Sequence, residues 1–523
     1  MRKSIIKSIA ISVILIIAAY AGEEQGTGGV RDYFPQGTSL KKSAAVTATF
    51  NYSARARLIN GPARNRVNIG YAGDGYAVAD TVRFPAQADS NIAYRRGLSS
   101  ITNNKMVMRP CPRYDKFFNW YIVNVLSQQS GVSVAPAYGQ PKTTVVNNAL
   151  GGTHDLDRLG WCDDNLALDL FSQAQQQLGT TIHWHVVVLN INGYYNSGGP
   201  VVVFAYPNWG DIACHEEGHG FHVLTDEYFG SGTDNTEYTE INSTHNRDGT
   251  KWGQWIGYRD VDTRTRSGGG TPTGDTVGYY LGSRYVSSGQ YRPTSNSKMN
   301  MTSQGNPVSY NAPSREKIIH DIYALVRPVD TLFDTVGQKT DPDSLWVRVI
   351  DPAVLKVDWY VGTTLKKANG GTSIKKSEIA TVPGTYTVRA HVYDEVLRHA
   401  NSNNASPDTL DLVRKDTTRM YQDVQWNVRI VTVAVSFNEI QKEVFRADVY
   451  KNVIVYGLEH PGAVAIDVYR IDGSLFKKMR VYGNAGRNTV TFSAMPAGIP
   501  AGMYVVLLKC ADGAQVMKMN LTK

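Results

Sequence analysis

Cys214-His215-Glu216-Glu217-Gly218-His219-Gly220-Phe221-His222-Val223-Leu224-Thr225-Asp226-Glu227-Tyr228 is the stretch from which the rest of the 523-residue sequence can be read. Within it His215, Glu216 and His219 spell HExxH. On a helix, residues four apart are neighbours on one face, so two imidazoles can close on one metal ion from the same side. Glu216 then lies on the flank, where it can hold a water and take its proton. Zinc suits such a site because it accepts neutral nitrogen ligands and keeps an open position for water. His215 and His219 are therefore expected metal ligands, and Glu216 the expected catalytic base.

A third ligand is needed, and the sequence offers three. His222 lies on the same helix face, yet an ion held by the first two imidazoles sits roughly 5–10 Å along the axis from a further turn. A straight helix does not bring it there easily. Asp226 can return to the ion if the helix ends near Leu224 and the chain turns back, and it is the preferred ligand. Glu227 is the other carboxylate within reach. Upstream, the apolar run Pro200–Tyr206 reads as a buried strand, and Asp211 as the cap of the following helix. Cys214 reads as a buried small hydrophobe.

The length implies two to four domains with ample core. With 42% hydrophobic and 19% charged residues the composition is that of an ordinary soluble protein. The net charge of +8 falls to about +5 if Arg2, Lys3 and Lys7 leave with a leader, too diffuse to argue for nucleic acid. Residues 1–21 have the form of an export signal, with a charged start, an apolar run from Ile9 to Ala18 and a cleavage site at Ala19-Tyr20-Ala21. No later stretch is long and apolar enough to span a bilayer as a helix. An exported chain permits disulfides, and of Cys111, Cys162, Cys214 and Cys510 the first two are the expected pair.

Residues 22–65 read as a polar leader with an early strand near Ala44–Tyr52. Between 66 and 335, strands are expected at Arg66–Tyr71, Phe117–Leu126, His185–Ile191 and Pro200–Tyr206. Helices are expected at Ala79–Ala93, Asn165–Leu178 and Ser314–Val326. Strands alternating with helices predict a layered α/β domain whose mixed sheet is largely parallel. Pro200–Tyr206 is also the strand expected to receive a peptide as an added strand. Residues 229–275 form a long polar insertion, a place for a cleft wall or, with weaker support, for calcium. Two β-rich segments follow. Alternation at Leu345–Ile350, Leu355–Val361, Ile379–Val382 and Thr385–Tyr393 predicts an immunoglobulin-like sandwich over about 340–435. Ala463–Tyr469, Ala501–Lys509 and Ala514–Leu521 predict a second sandwich over about 438–523.

From Val67 to about Val329 the sequence resembles the IgA peptidase-type family of bacterial zinc metallopeptidases. The matching pieces come in family order. They are Val67-Asn68-Ile69 with Gly73-Asp74-Gly75-Tyr76; Phe117-Phe118 with Tyr121 to Val125; Ser130-Gly131-Val132-Ser133; and Val186 to Asn190. Next comes the signature with its Leu224-x-Asp226-Glu227-Tyr228 tail, then Tyr291-Arg292-Pro293 and Asn296-Ser297-Lys298-Met299. The resemblance implies a metzincin-like fold, zinc as cofactor, Glu216 as general base and Met299 in a turn beneath the metal. Two positions depart from the family pattern. His222 stands where a small residue is usual and Val223 where glycine is usual, so the turn after the helix needs another solution. Residues 438–523 resemble the C-terminal sorting domain of type IX secretion substrates, through Val468-Tyr469-x-x-Asp472-Gly473, Met495-Pro496-Ala497-Gly498 and Gly502-Met503-Tyr504-Val505-Val506.

Together these observations predict a zinc endopeptidase, secreted by or displayed on the surface of a bacterium, acting on a protein or glycoprotein substrate. The C-terminal segment would address the secretion machinery. Tyr228 or Tyr291 would hydrogen-bond the oxyanion, and His222 would contact substrate. The rival from another class is a non-catalytic surface adhesin that keeps a peptidase-like domain, favoured by the β content and by His222 and Val223.

Overall fold

The computed structural model describes residues 50–98, 109–134, 142–146, 149–150, 160–193, 195–205, 210–260, 275–300, 309–398, 412–431, 447–450, 453–491, 502–511 and 513–521. The expected signal peptide, the start of the early strand and Met495–Gly498 lie outside these residues. The chain divides into two compact units. The first holds the residues through Asp330 with Val349–Lys356 and Val392–Gln422; the second holds Thr331–Arg348, Val357–His391 and Asp423–Lys523.

The first unit is built on a mixed six-stranded sheet. Its strands are β1 (Tyr52–Leu58), β2 (Val67–Asp74), β3 (Phe118–Val125), β4 (Trp184–Leu189), β5 (Asn196–Ser197) and β6 (Val202–Ala205). Their order is β1-β3-β2-β4-β6-β5. The central pairs β3–β2, β2–β4 and β4–β6 are parallel, and the outer pairs β1–β3 and β5–β6 antiparallel. The inner strands β2, β4 and β6 are buried along almost their whole length, as strands covered on both faces are.

Helices follow the parallel strands. They are α1 (Arg83–Arg95), α2 (Asp164–Leu178), α3 (Gly210–His222) and α4 (Ala312–Leu325). On one sheet face Ala72, Val123, Val187, Leu189 and Val203 pack against Ala167, Leu170, Phe171 and Ala174 of α2. On the other, the Tyr71 hydroxyl donates to Asn91 Oδ1 of α1 at 2.7 Å, and α3 packs on α1 and β6. Local chemistry sets the helix ends. Asp163 caps α2 by accepting from the Asn165 and Leu166 amides at 3.0 and 3.2 Å, and Gly179 ends it at φ 63°. Asn311 caps α4.

Several expectations need correction. The first described strand is Tyr52–Leu58, which meets the expected early strand at Tyr52, and the first helix begins at Arg83, after a short 3-10 turn at Val78–Asp80. Helix α3 begins at Gly210, so Asp211 falls inside its first turn rather than at the cap. Strand β6, expected to accept a peptide, is hydrogen-bonded on both sides, by β4 and by β5. Among the described residues the outermost strand on that side is β5. All four cysteines are free. Cys162 lies in the apolar core beside α2, while Cys111 is buried next to the Arg95 charge, so the expected Cys111–Cys162 bond is not made.

The β-rich remainder contains two sheets over Val329–Ile430. One has five strands in the order Gln338–Thr340, Tyr421–Ile430, Gly384–Asp394, Leu355–Val361, Thr364–Lys367; the other has three. The strand expected at Ile379–Val382 is not formed: Lys376–Ile379 is a helical turn that buries Ile379 and is capped by Glu378, and the next strand begins at Gly384. Beyond it, Gly462–Arg470, Gly502–Cys510 and Gly513–Leu521 join Leu475–Gly483 in a four-stranded antiparallel sheet. No helix among the described residues is long and apolar enough to cross a membrane.

Candidate metal centre

Helix α3 carries the HExxH residues and is held along one flank by close backbone approach of residues 198–199. A Cβ on Gly198 would come within 2.6 Å of the Glu216 carbonyl, and one on Gly220 within 2.5 Å of the Gly199 carbonyl. Both glycines are needed for the edge beside β5 to lie against the helix. Below the helix, Met299 is fully buried, and a Cβ on Gly218 would meet its Sδ at 2.6 Å. Met299 thus packs directly under the turn that joins His215 to His219.

The helix ends where His219 needs it to. Val223 takes φ 53°, a left-handed conformation that is rare for a β-branched residue. Its amide donates to the His219 carbonyl at 3.1 Å, and the Leu224 amide reaches Gly218 O at 2.9 Å. This is the left-handed helix cap that glycine usually makes. The chain reverses there and returns Asp226 to the helix. Of the three candidate third ligands, Asp226 is the one brought to the histidines.

His215 Nδ1 faces the Lys298 carbonyl at 2.8 Å and His219 Nδ1 the Leu224 carbonyl at 2.7 Å. A carbonyl only accepts, so each Nδ1 donates, and in the neutral ring each Nε2 presents its lone pair to a metal. The two Nε2 atoms are 3.2 Å apart. Asp226 Oδ1 lies 3.0 Å from His215 Nε2 and 3.4 Å from His219 Nε2. It is buried and receives no hydrogen bond. A tetrahedral zinc ion with bonds of about 2.0–2.1 Å has ligand atoms about 3.3 Å apart. The three donors have that spacing, so the residues present fit the ion. Among the described residues this is the one cluster of three or more such side chains; the insertion's described part, 229–260, gathers none for calcium.

The electrostatics favour a cation. Burial alone lowers the His219 imidazole, but the Asp226 carboxylate, aided by Glu216, outweighs it and brings it up to about 9. His215 is raised in the same way. Burial alone would raise Asp226, yet the two imidazoles hold it well below the usual carboxylate range. Glu216 is half-buried on the flank of α3, close enough for its charge to act on both histidines.

The other expected residues part company. Tyr228 lies at the centre: its ring stacks on His215 with centroids 5.8 Å apart and planes at 23°. Tyr291 instead lines an open cavity of about 660 Å³ with His245, Arg247 and Ser288, the Arg247 guanidinium 4.9 Å above its ring. His222 is buried, edge-on to Trp184 at 5.1 Å, with Nδ1 3.0 Å from Asp321 Oδ2. Enclosed in this way it packs the interior, which corrects the expectation that it contacts substrate.

Glu227 is also interior. Its carboxylate accepts from Ser297 Oγ at 2.7 Å, Asn311 Nδ2 at 2.8 Å and Asn242 Nδ2 at 3.1 Å, and its amide donates to the Met299 carbonyl at 2.7 Å. It therefore ties the segment after the helix to residues 297–299. Two further features escaped the sequence reading. Glu217 forms a buried ion pair with Arg95, whose guanidinium lies 5.0 Å from the Phe118 ring and 5.3 Å from that of Trp184. Tyr285 donates its hydroxyl to Asp226 Oδ2 at 2.7 Å. No spacing rule links a residue 59 positions away to the motif.

Residues 58–261 match the family model described as IgA Peptidase M64. The expected family resemblance holds over that stretch, which contains His215, Glu216, His219, Asp226 and Tyr228 and ends before Tyr285 and Met299. That stretch is similar to a peptidase family. No curated protein matches the chain. Among solved structures, fibronectin(III)-like modules of Clostridium thermocellum CbhA align at 12% identity and TM-score 0.11, over 37% of this chain and 93% of theirs. Dimeric latent PorU from Porphyromonas gingivalis aligns at 13% identity and TM-score 0.13, over 37% of this chain and 20% of its own. HBP35 of Porphyromonas gingivalis aligns at 14% identity and TM-score 0.17, over 42% and 73%. Likenesses this slight carry no argument about fold or function.

Proposed function

We propose that this chain is a secreted zinc-dependent endopeptidase in which His215, His219 and Asp226 hold the ion and Glu216 is the general base. The observation that carries the reading is the convergence of two Nε2 lone pairs and one unbonded carboxylate oxygen at 3.0–3.4 Å. A zinc ion held there would supply Lewis acidity, polarising the scissile carbonyl and making a bound water acidic near neutral pH. Glu216 takes the proton of the attacking water and delivers it to the leaving amine. Tyr228, beside His215, is the better placed of the two expected tyrosines to donate to the developing oxyanion. The substrate is a protein or glycoprotein. We further propose that residues 438–523 are an address for the secretion machinery, on the strength of the motifs from Val468 to Gly473 and Gly502 to Val506.

Metal content of the purified full chain, wild type beside His219→Ala, tests the first claim. About one zinc per chain, lost in the variant, is the expected result. Glu216→Gln should retain the zinc and lose roughly 10²–10⁴-fold in cleavage of protein substrates. A folded wild type with no zinc would favour the adhesin reading instead.

A further inference from the structure

We infer that Tyr285 is a positioning residue for the metal-facing carboxylate: its phenol holds Asp226 Oδ2 at 2.7 Å and so aims Oδ1 between the two imidazoles. The inference rests on the reading of the triad as a zinc site and adds to it a residue that lies outside the matched family region. A carboxylate has two equivalent oxygens and can swing or bind through both. With one oxygen occupied by a donor, a single oxygen remains for the ion.

The surrounding backbone is arranged to deliver that phenol. Strands β7 (Tyr280–Ser283) and β8 (Val286–Arg292) form a hairpin whose two tip residues, Arg284 and Tyr285, have φ 55° and 64°. This is the left-handed pair that Asn-Gly normally fills, and two large side chains there carry strain. In a free hairpin the tip amides face water. Here the Arg284 amide donates to the Asp226 carbonyl at 3.1 Å and the Tyr285 amide to the Tyr228 carbonyl at 2.9 Å. Ser283 Oγ adds a bond to the Asp226 carbonyl at 3.3 Å. Arg284 pins the tip from its other side, paired with Glu240 at 3.1 Å and lying 3.7 Å above the Tyr238 ring. The Tyr285 ring meets Tyr228 edge-on at 5.6 Å. Main chain and side chain of one strained turn thus grip residues 226–228 together, and the phenol is the part that touches the ligand itself.

Tyr285→Phe removes one oxygen and keeps the ring that packs on Tyr228. Zinc affinity measured by chelator competition should fall about 10–100-fold, the range found when the hydrogen-bond partner of a metal ligand is lost. The visible spectrum of the cobalt(II)-substituted variant should shift, because the carboxylate is free to bind differently. A purely structural role would lower the melting temperature of the metal-free protein and leave the cobalt spectrum alone. Zinc affinity within twofold of wild type, with an unchanged cobalt spectrum, would overturn the inference while leaving the zinc site standing. Wild type without zinc would overturn both, and His219→Ala, which loses the ion in the underlying reading, separates the two failures. Circular dichroism of each variant checks folding. Should Tyr285→Phe misfold, Tyr285→Leu, which has no donor to replace the phenol, is measured in its place.

Discussion

Val223 and His219 are joined by a backbone hydrogen bond of 3.1 Å that closes the metal-bearing helix in a left-handed turn. A β-branched residue at φ 53° is strained, and the strain sits at the start of the segment that returns Asp226. Val223→Gly removes it, at the cost of a more flexible unfolded chain. The two terms leave a net gain of about 1 kcal/mol. Urea unfolding should show a higher midpoint with an unchanged slope. A lower midpoint would mean that the half-buried valine side chain contributes more than its backbone costs.

Adjacent carboxylates have opposite tasks here, so their substitutions should separate. Asp226→Ala removes a ligand and should abolish stoichiometric zinc. Glu227→Ala leaves donors from Ser297, Asn242 and Asn311 buried and unpaired, which should cost about 3–5 kcal/mol. The milder Glu227→Gln should keep zinc and lower stability by less. Zinc retained by Asp226→Ala, or lost by Glu227→Gln in a folded protein, would reverse the assignment.

The central strands and the helices α2 and α4 are legible in the sequence because apolar runs, Asp163, Asn311 and Gly179 mark them locally. The two histidines are legible because four-residue spacing has one meaning on a helix. The sequence prefers Asp226 to Glu227 by its reach, but what enforces that choice is not local. It depends on a left-handed turn at Val223, which the residue type argues against, and on a polar pocket made by Ser297 and Asn311, some 70 to 84 residues away. The same limit hides Tyr285 and Arg95. Ile379, read as the start of a strand from its alternation, ends a helical turn because Glu378 caps that turn from within.

Arg95 and Glu217 form an ion pair with almost no exposure under the HExxH helix. Removing one partner strands the other charge, so Arg95→Met should destabilise by about 3–5 kcal/mol. Adding Glu217→Leu should recover most of that loss, since a well-packed apolar pair replaces a buried ion pair at little cost. A double-mutant cycle from thermal or urea unfolding reads the coupling. If the double variant is no better than Arg95→Met alone, the pair is held by its packing against Phe118 and Trp184 rather than by charge.

His222 gives a pH dependence with a definite sign. Burial pushes its imidazole from the ordinary 6.5 down to about 4, against the opposing pull of Asp321. Above pH 6.5 it is neutral in both states and contributes nothing to the pH dependence. Between about 6.5 and 4 the unfolded chain holds a proton that the folded chain refuses, so stability falls as the pH drops through that window. One such proton gives a slope of up to about 1.4 kcal/mol per pH unit. His222→Gln keeps an amide to face Asp321 and cannot titrate. Urea midpoints at pH 7, 6 and 5, on metal-free wild type and variant, should converge as the pH falls, because the titrations of the metal-site residues are common to both and cancel. Parallel curves would show that His222 takes up its proton in the fold as readily as in the unfolded chain, which would contradict its enclosure against Trp184.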